Sequence, residues 1–329
     1  MSLREDSSAT GPIIVANQLT RHYKVQKNAL KTGRFGLGLV RREMEIVKAI
    51  DDLNFTIEPA TAVGLIGLNG AGKSTLLKLI TGVLVPTSGE VLVGGLQPSE
   101  HRKEVVRNIG VVFGHRSQLW WDVPLIDSLN VLRLIYSVDE KDYKQRLQIL
   151  TDLLEMGDLL PRAPRQLSLG QRVRGEIMAS LLHGPNLLIL DEPTVGLDII
   201  AKAKIRRLIR SLIEEEGVTV ILASHEVSDI EEICERTILL HEGRILYEGT
   251  IEALKAQANV ERSLVLDVER GTGQGSDDVV VEQVTIPLSG NDTARRLAEV
   301  ASLGTVSGAQ VTGGSLEVIL ARLFDEATN

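Results

Sequence analysis

Gly67-Leu68-Asn69-Gly70-Ala71-Gly72-Lys73-Ser74 is a complete G-x-x-x-x-G-K-S pattern, set between an apolar stretch, Thr61 to Ile66, and a helical one, Lys73 to Ile80. Strand, glycine-rich loop and helix in that order are the context a phosphate loop requires. The glycines let backbone N–H groups turn inward around phosphate oxygens, Lys73 reaches the β and γ oxygens, and the Ser74 hydroxyl is set for Mg²⁺. Asn69, Gly70, Ala71, Gly72 and Thr75 complete the expected cradle, and the positive end of the following helix points at the same anion.

Downstream, Leu167-Ser168-Leu169-Gly170-Gln171 precedes an Asp191-Glu192 pair, with 23 residues from Ser168 to Asp191. The apolar run Leu187-Leu-Ile-Leu190 reads as a buried strand, so Asp191 is expected at the carboxyl end of a sheet, where it can hold a Mg²⁺ shell. Glu192 is the expected catalytic base that polarises an attacking water. Ser168 and Gln171 also spell a helix-capping box, and a capped helix start with Gly170 allowing close approach is an anion site as well. Phosphate loop and acidic pair together predict ATP binding and hydrolysis.

Composition sets the outer bounds. A 329-residue chain that is 43% hydrophobic and 24% charged has ordinary globular composition, long enough for one large domain and a smaller one. Its net charge of −8 argues against duplex nucleic acid as a partner. The longest apolar runs fall well short of the ~20 residues that cross a bilayer. The first residues, Met1-Ser-Leu-Arg-Glu-Asp, lack an apolar signal core, so a cytosolic protein is expected, with any membrane work done through a partner. The single cysteine, Cys234, in an expected helical stretch from Ser228 to Arg236, excludes an internal disulfide and reads as a buried structural thiol.

Along the chain, a polar tail (1–12) leads to a β-branched strand, Ile13 to Tyr23. A basic insert follows, Lys24 to about Lys48, with Lys24, Lys27, Lys31, Arg34, Arg41 and Arg42; it is either a solvated hairpin extension or a contact for anionic headgroups or a partner. Strands are expected at Ile50–Ile57, Glu90–Gly94, Asn108–Phe113, Leu187–Leu190 and Val218–Ala223. Between Leu125 and Leu160 the period turns helical, with Tyr143, Leu147, Leu150 and Leu154 in one stripe. A basic amphipathic helix is expected from about Ile199 to Glu216. Strands alternating with helices and buried on both faces argue for a parallel-sheet α/β core. That places one domain at 13–255 with a helical subdomain at about 125–185, a linker at 256–262, and a small β-β-α-β-α accessory domain at 263–329, interrupted by a flexible loop at Gly271–Asp278.

Phosphate loop, Leu-Ser-Leu-Gly-Gln171, Leu-Asp-Glu-Pro-Thr194, Val-Gly-Leu-Asp198 and Ser-His225, in this order, resemble the ATP-binding subunit of an ABC transporter over about residues 13–255. The resemblance implies a P-loop ATPase core with an antiparallel β subdomain and a helical signature subdomain. It implies two copies facing head to tail, each ATP held by one copy's phosphate loop and by Ser168, Gly170 and Gln171 of the other. Gly196-Leu197-Asp198 matches the loop that crosses the dimer interface, Tyr23 the aromatic stacked on adenine, and His225 the histidine that senses the γ-phosphate. Implied partners are integral-membrane permease subunits, of one or two types, at the cytoplasmic face of the cell membrane.

One position departs. Where the family carries a Mg²⁺-binding glutamine after the strand ending at Phe113, this chain has His115, with Gln118 three residues later; either is the candidate. Trp120-Trp121, next along, is expected as a permease contact or as core. Gly110 to Pro124, the basic insert and Ser315 to Phe324 are similar to ATPase subunits of ABC-2-type exporters, which implies an export ATPase, with an importer ATPase subunit or a soluble non-transport ABC ATPase as the alternatives.

Overall fold

The computed structural model describes residues 11–28, 42–113, 117–257, 263–271, 279–287, 295, 298–300, 302, 305–312 and 316–328. The chain forms two compact units, Met1–Gly249 and Thr250–Asn329.

In the first unit, β1 (Ile14–Asn28), β2 (Arg42–Ile57) and β4 (Ser88–Val93) make an antiparallel sheet ordered β2-β1-β4. β1 and β2 stay paired out to Asn28 and Arg42, well past Tyr23 and ahead of Ile50, the expected strand limits. Both described flanks of the basic insert are therefore paired strand; residues 29–41, with Lys31, Arg34 and Arg41, lie outside the described residues. The paired stretch carries the β-branched residues Val25, Ile46 and Val47, types that favour strand.

The second sheet holds β5 (Ile109–Phe113), β6 (Leu187–Asp191), β7 (Thr219–Ala223), β3 (Ala62–Gly67), β8 (Arg236–His241) and β9 (Arg244–Thr250), in that order. β5 to β8 with β3 run parallel. All six residues of β3 are buried and the side chains of Leu187 to Leu190 are fully so. Burial of such a side chain is worth about 1.5–3 kcal/mol, so the apolar runs seat these strands in the middle of the sheet and leave their polar ends at its rim. Glu242 and Gly243, both at positive φ (45° and 78°), make the two-residue turn from β8 to β9.

Helix α1 (Lys73–Ile80) lies between the two sheets. Its Leu76, Leu79 and Ile80 share one core with Ile14, Leu53 and Val91 of the antiparallel sheet and Ile189, Ile221 and Leu240 of the parallel one. The helical region contains α3 (Leu125–Tyr136), α4 (Glu140–Leu153) and α5 (Leu169–Leu181). Tyr143, Leu150 and Leu154 of the expected stripe are buried, and Leu147 is half-buried. Short α2 (Arg102–Arg107) precedes β5. Beyond β6 come α6 (Ile199–Glu214) and α7 (Val227–Ile233). The helix expected to reach Arg236 stops before Cys234, because Arg236 already begins β8; the thiol is 5% exposed and burial raises its pKa.

The second unit has α8 (Ile251–Gln257), an antiparallel sheet ordered β11-β10-β12, and α9 (Leu316–Thr328). Its strands are β10 (Ser263–Gly271), β11 (Val279–Pro287) and β12 (Thr305–Thr312), packed around Leu266, Val268, Ile286 and Val300. Residues 272–278 of the expected loop and 258–262 of the expected linker lie outside the described residues.

Candidate nucleotide site

Three parallel strands that are neighbours in the sheet end side by side. Leu65 of β3 is paired with Ala223 of β7, and Asp191 of β6 with the same Ala223. The phosphate loop follows β3, Asp191-Glu192 closes β6, and His225 follows β7, so the register alone gathers them at one edge.

Gly70 and Gly72 have φ of 84° and 109°, the left-handed region that glycine enters without a steric cost. At Gly72 a side chain has no room either, since a Cβ there would collide with the Ala49 carbonyl oxygen. The Lys73 Nζ donates to the Gly67 carbonyl at 2.5 Å and to that of Leu68 at 3.3 Å, so the ammonium curls into its own loop. Burial lowers its pKa, and the charges of Glu192 and Asp191 oppose that shift.

Glu192 sits at φ 56°, unusual for a side-chain-bearing residue, and its N–H donates to the Ala223 carbonyl at 2.8 Å. That turn swings its carboxylate to His225, whose Nδ1 lies 2.7 Å from Glu192 Oε2. Behind them, the fully buried Asp229 of α7 accepts from Arg206 Nε at 2.7 Å and from the Thr194 hydroxyl, tying α6, α7 and the segment after Glu192 together.

These groups face one cavity of about 910 Å³. Asn69, Gly70, Ala71, Gly72, Lys73, Ser74 and Thr75 line it together with Asp191, Glu192 and His225. Tyr23, Ser168, Gly170, Gln171, Asp198 and Gln118 do not. Ser168 caps α5, accepting from the Gln171 N–H at 3.3 Å while its own N–H donates to Gln171 Oε1 at 2.9 Å. Asp198 caps α6 by accepting from the Ala201 N–H at 2.8 Å. Tyr23 is half-buried, with the Arg21 guanidinium 4.9 Å from its ring centre. Gln118 donates through Nε2 to the Val111 carbonyl at 2.6 Å, and His115 lies outside the described residues. Trp120 and Trp121 are 44% and 51% exposed, so the pair is surface and not core.

Sequence reasoning missed Ser117, Arg172 and Glu176, which also line the cavity. The available signal was weak: Arg172 and Glu176 are four apart on α5 and therefore share a face. Among the described residues no group of three or more His, Cys, Asp or Glu side chains could hold a metal.

A family model described as ABC transporter matches residues 50–195. The ABC transporter ATP-binding protein NatA of Bacillus subtilis (strain 168) is 33% identical over 210 residues, which is 64% of this chain and 85% of the relative. The methionine import ATP-binding protein MetN of Latilactobacillus sakei subsp. sakei (strain 23K) is 33% identical over 231 residues, 68% of this chain and 67% of the relative. Among solved structures, the dimeric post-hydrolysis state of the ATP-binding cassette MJ0796 bound to ADP and Pi is 26% identical, with a TM-score of 0.59, covering 72% of this chain and 98% of that one.

Proposed function

This chain belongs to the ATP-binding subunits of ABC transporters, and from that premise we propose that it powers an ABC-2-type exporter. It is an ATPase. The observation that carries our assignment of residues is the convergence of Lys73, Asp191, Glu192 and His225 on one cavity beside the loop glycines.

In this reading the loop N–H groups from Asn69 to Thr75 hold the phosphate tail, and Lys73 leaves its own carbonyls for the β and γ oxygens. Tyr23 stacks on adenine. Glu192 accepts the proton of a water whose oxygen bonds to the γ-phosphorus as the bridging P–O bond to ADP breaks. His225, held by Glu192, contacts the γ-phosphate. Mg²⁺, when bound, would supply neutralisation of the phosphate charge. Ser74 and Asp191 suit it: both line the cavity, and this cation takes one or two protein oxygens and completes its shell with phosphates and water. His115 or Gln118 would be the further residue that helps hold the cation.

Ser168, Gly170, Gln171 and Asp198 act on the ATP of a second copy. The catalytic domain is residues 13–255, with the helical subdomain at about 125–185, the linker at 256–262 and the accessory domain at 263–329. We place the chain at the cytoplasmic face through permease subunits, as in the family; no helix among the described residues is long and apolar enough to cross a membrane. The direction of transport rests on the likeness of Gly110–Pro124 and Ser315–Phe324 to ABC-2 subunits.

The test is to purify tagged Glu192→Gln with ATP and Mg²⁺ from host membranes in mild detergent and identify what co-elutes. Stoichiometric polytopic proteins of the ABC-2 class are expected. Importer-type permeases would overturn the export reading, and nucleic acid in their place would overturn transport.

A further inference from the structure

The segment that follows β5 is held by one face of α5. Glu176 is 7% exposed; its Oε1 accepts from the Ser117 hydroxyl and its Oε2 accepts from the Gln118 N–H at 3.0 Å. Ser117 Oγ in turn accepts from the Leu119 N–H at 3.1 Å. Four residues back on the same helix, the Arg172 guanidinium lies 5.5 Å from the centre of the Trp121 ring. On its other side the segment is pinned to α3, where the buried Ser128 hydroxyl accepts from the Trp120 N–H at 3.1 Å. Ser117 to Trp121 therefore bridges α5 and α3 while presenting both indoles to solvent.

A carboxylate is costly to bury, and the cost is met only when both oxygens are hydrogen-bonded. Burial pushes the Glu176 carboxyl above the usual range, against the opposing pull of Ser117 and Gln118. A leucine would pack α5 without that conflict. What an acid adds is a two-oxygen grip on a segment without regular secondary structure. Glu176 is also eight residues from Ser168 on one unbroken helix, about 12 Å at 1.5 Å per residue. Ser117, Trp121, Arg172 and Glu176 line the same cavity as Lys73 and Glu192.

We propose that Glu176 is a positioning residue that locks the Ser117–Trp121 segment to α5, so that this segment at the cavity and the Ser168–Gln171 end of the helix move as one body. The inference rests on the nucleotide-site reading above. Because the lock touches no residue of the phosphate loop, its loss is felt in turnover and not in ATP affinity.

The experiment compares the full-length wild-type chain with Glu176→Ala, Glu176→Gln and Ser117→Ala, measuring equilibrium ATP binding with a fluorescent ATP analogue, kcat and KM for hydrolysis, and thermal stability. Glu176→Ala is expected to lower kcat by about ten-fold with ATP affinity within about two-fold of wild type, the pattern of lost transition-state stabilisation with ground-state binding kept. Glu176→Gln keeps an acceptor for Gln118 and a partner for Ser117, and recovers most of the kcat. Ser117→Ala falls between, and stands in if Glu176→Ala fails to fold. Wild-type kcat in a folded Glu176→Ala or Ser117→Ala variant overturns the proposal, as does an equal loss of affinity and kcat, which would mark damage to the site itself. A wild-type chain that neither binds nor hydrolyses ATP would instead sink the nucleotide-site reading.

Discussion

His225 Nδ1 lies 2.7 Å from Glu192 Oε2, and the His225 backbone N–H points at the same oxygen from 3.4 Å. The histidine thus orients the carboxylate proposed as base, and the left-handed turn at Glu192 makes the contact possible. Glu192→Gln keeps the size of the side chain and loses the base. We expect kcat to fall by about 10² to 10⁴ with ATP binding retained. A single-turnover assay with a parallel binding titration reads both quantities, and turnover within a few-fold of wild type would remove Glu192 from the role of base.

Lys73→Ala makes the opposite prediction. In the wild type the Lys73 ammonium donates to the Gly67 and Leu68 carbonyls, acceptors that phosphate oxygens can replace. Truncation is expected to abolish nucleotide affinity and hydrolysis together. Retention of wild-type ATP binding by equilibrium dialysis would refute the site.

Ser168 separates cap from trans contact. As a capping residue it is worth about 1 kcal/mol to the protein, so Ser168→Ala should lower thermal stability modestly. Ser168→Arg adds bulk where the second copy's nucleotide would lie. It should leave ATP binding intact and block the ATP-dependent dimer of the Glu192→Gln background, as read by light scattering. Unchanged dimerisation would remove the trans contact.

The contiguous motifs made the fold and the middle of the site legible. Gly67 to Ser74 and Leu187 to Glu192 each place an apolar strand directly against its polar loop, so the chemistry inherits its position from burial that the sequence displays. Contacts that cross the fold were not legible. Glu176 reads in sequence as an ordinary helical acid, yet it is buried against Ser117, 59 residues earlier. Asp229 likewise gives no sign of its bonds to Arg206 and Thr194. The left-handed φ of Glu192 was also hidden, since backbone strain at a non-glycine residue leaves no mark in residue type.

The two loop glycines at positive φ should differ in cost. A Cβ at Gly70 meets nothing within 4 Å, so Gly70→Ala carries only the backbone penalty, about 1 kcal/mol. At Gly72 the same change adds a collision with the Ala49 carbonyl oxygen and crowds Ile50 Cδ1 at 3.0 Å. Gly72→Ala should therefore be the more destabilising by several-fold in chemical denaturation. Equal midpoints for the two variants would show that the β2 backbone yields and that Gly72 is required for its φ alone.

His183 gives the chain an acid limit unrelated to catalysis. Its ring stacks on Tyr136 with centroids 3.9 Å apart and planes 4° apart, and Nε2 lies 3.1 Å from the Ile109 carbonyl oxygen. A carbonyl only accepts, so Nε2 carries the proton, and Nδ1 is left buried without a hydrogen-bond partner. Burial is the main cause that lowers the pKa to about 4, and Arg146 adds to it. The folded state thus resists a proton that the unfolded chain takes up near pH 6.5. Stability is unaffected above that pH, declines as pH falls through the window between 6.5 and about 4, and has lost about 3 kcal/mol from this group below it. His183→Phe keeps a stacked ring but gives up the bond to Ile109, so it should be less stable than wild type at pH 7.5 by about 1 kcal/mol. Without the proton to exclude, it should lose less on acidification and overtake the wild type by about pH 4.5. Urea unfolding of both proteins at the two pH values checks this, and parallel losses would show that His183 titrates alike in the folded and unfolded chains.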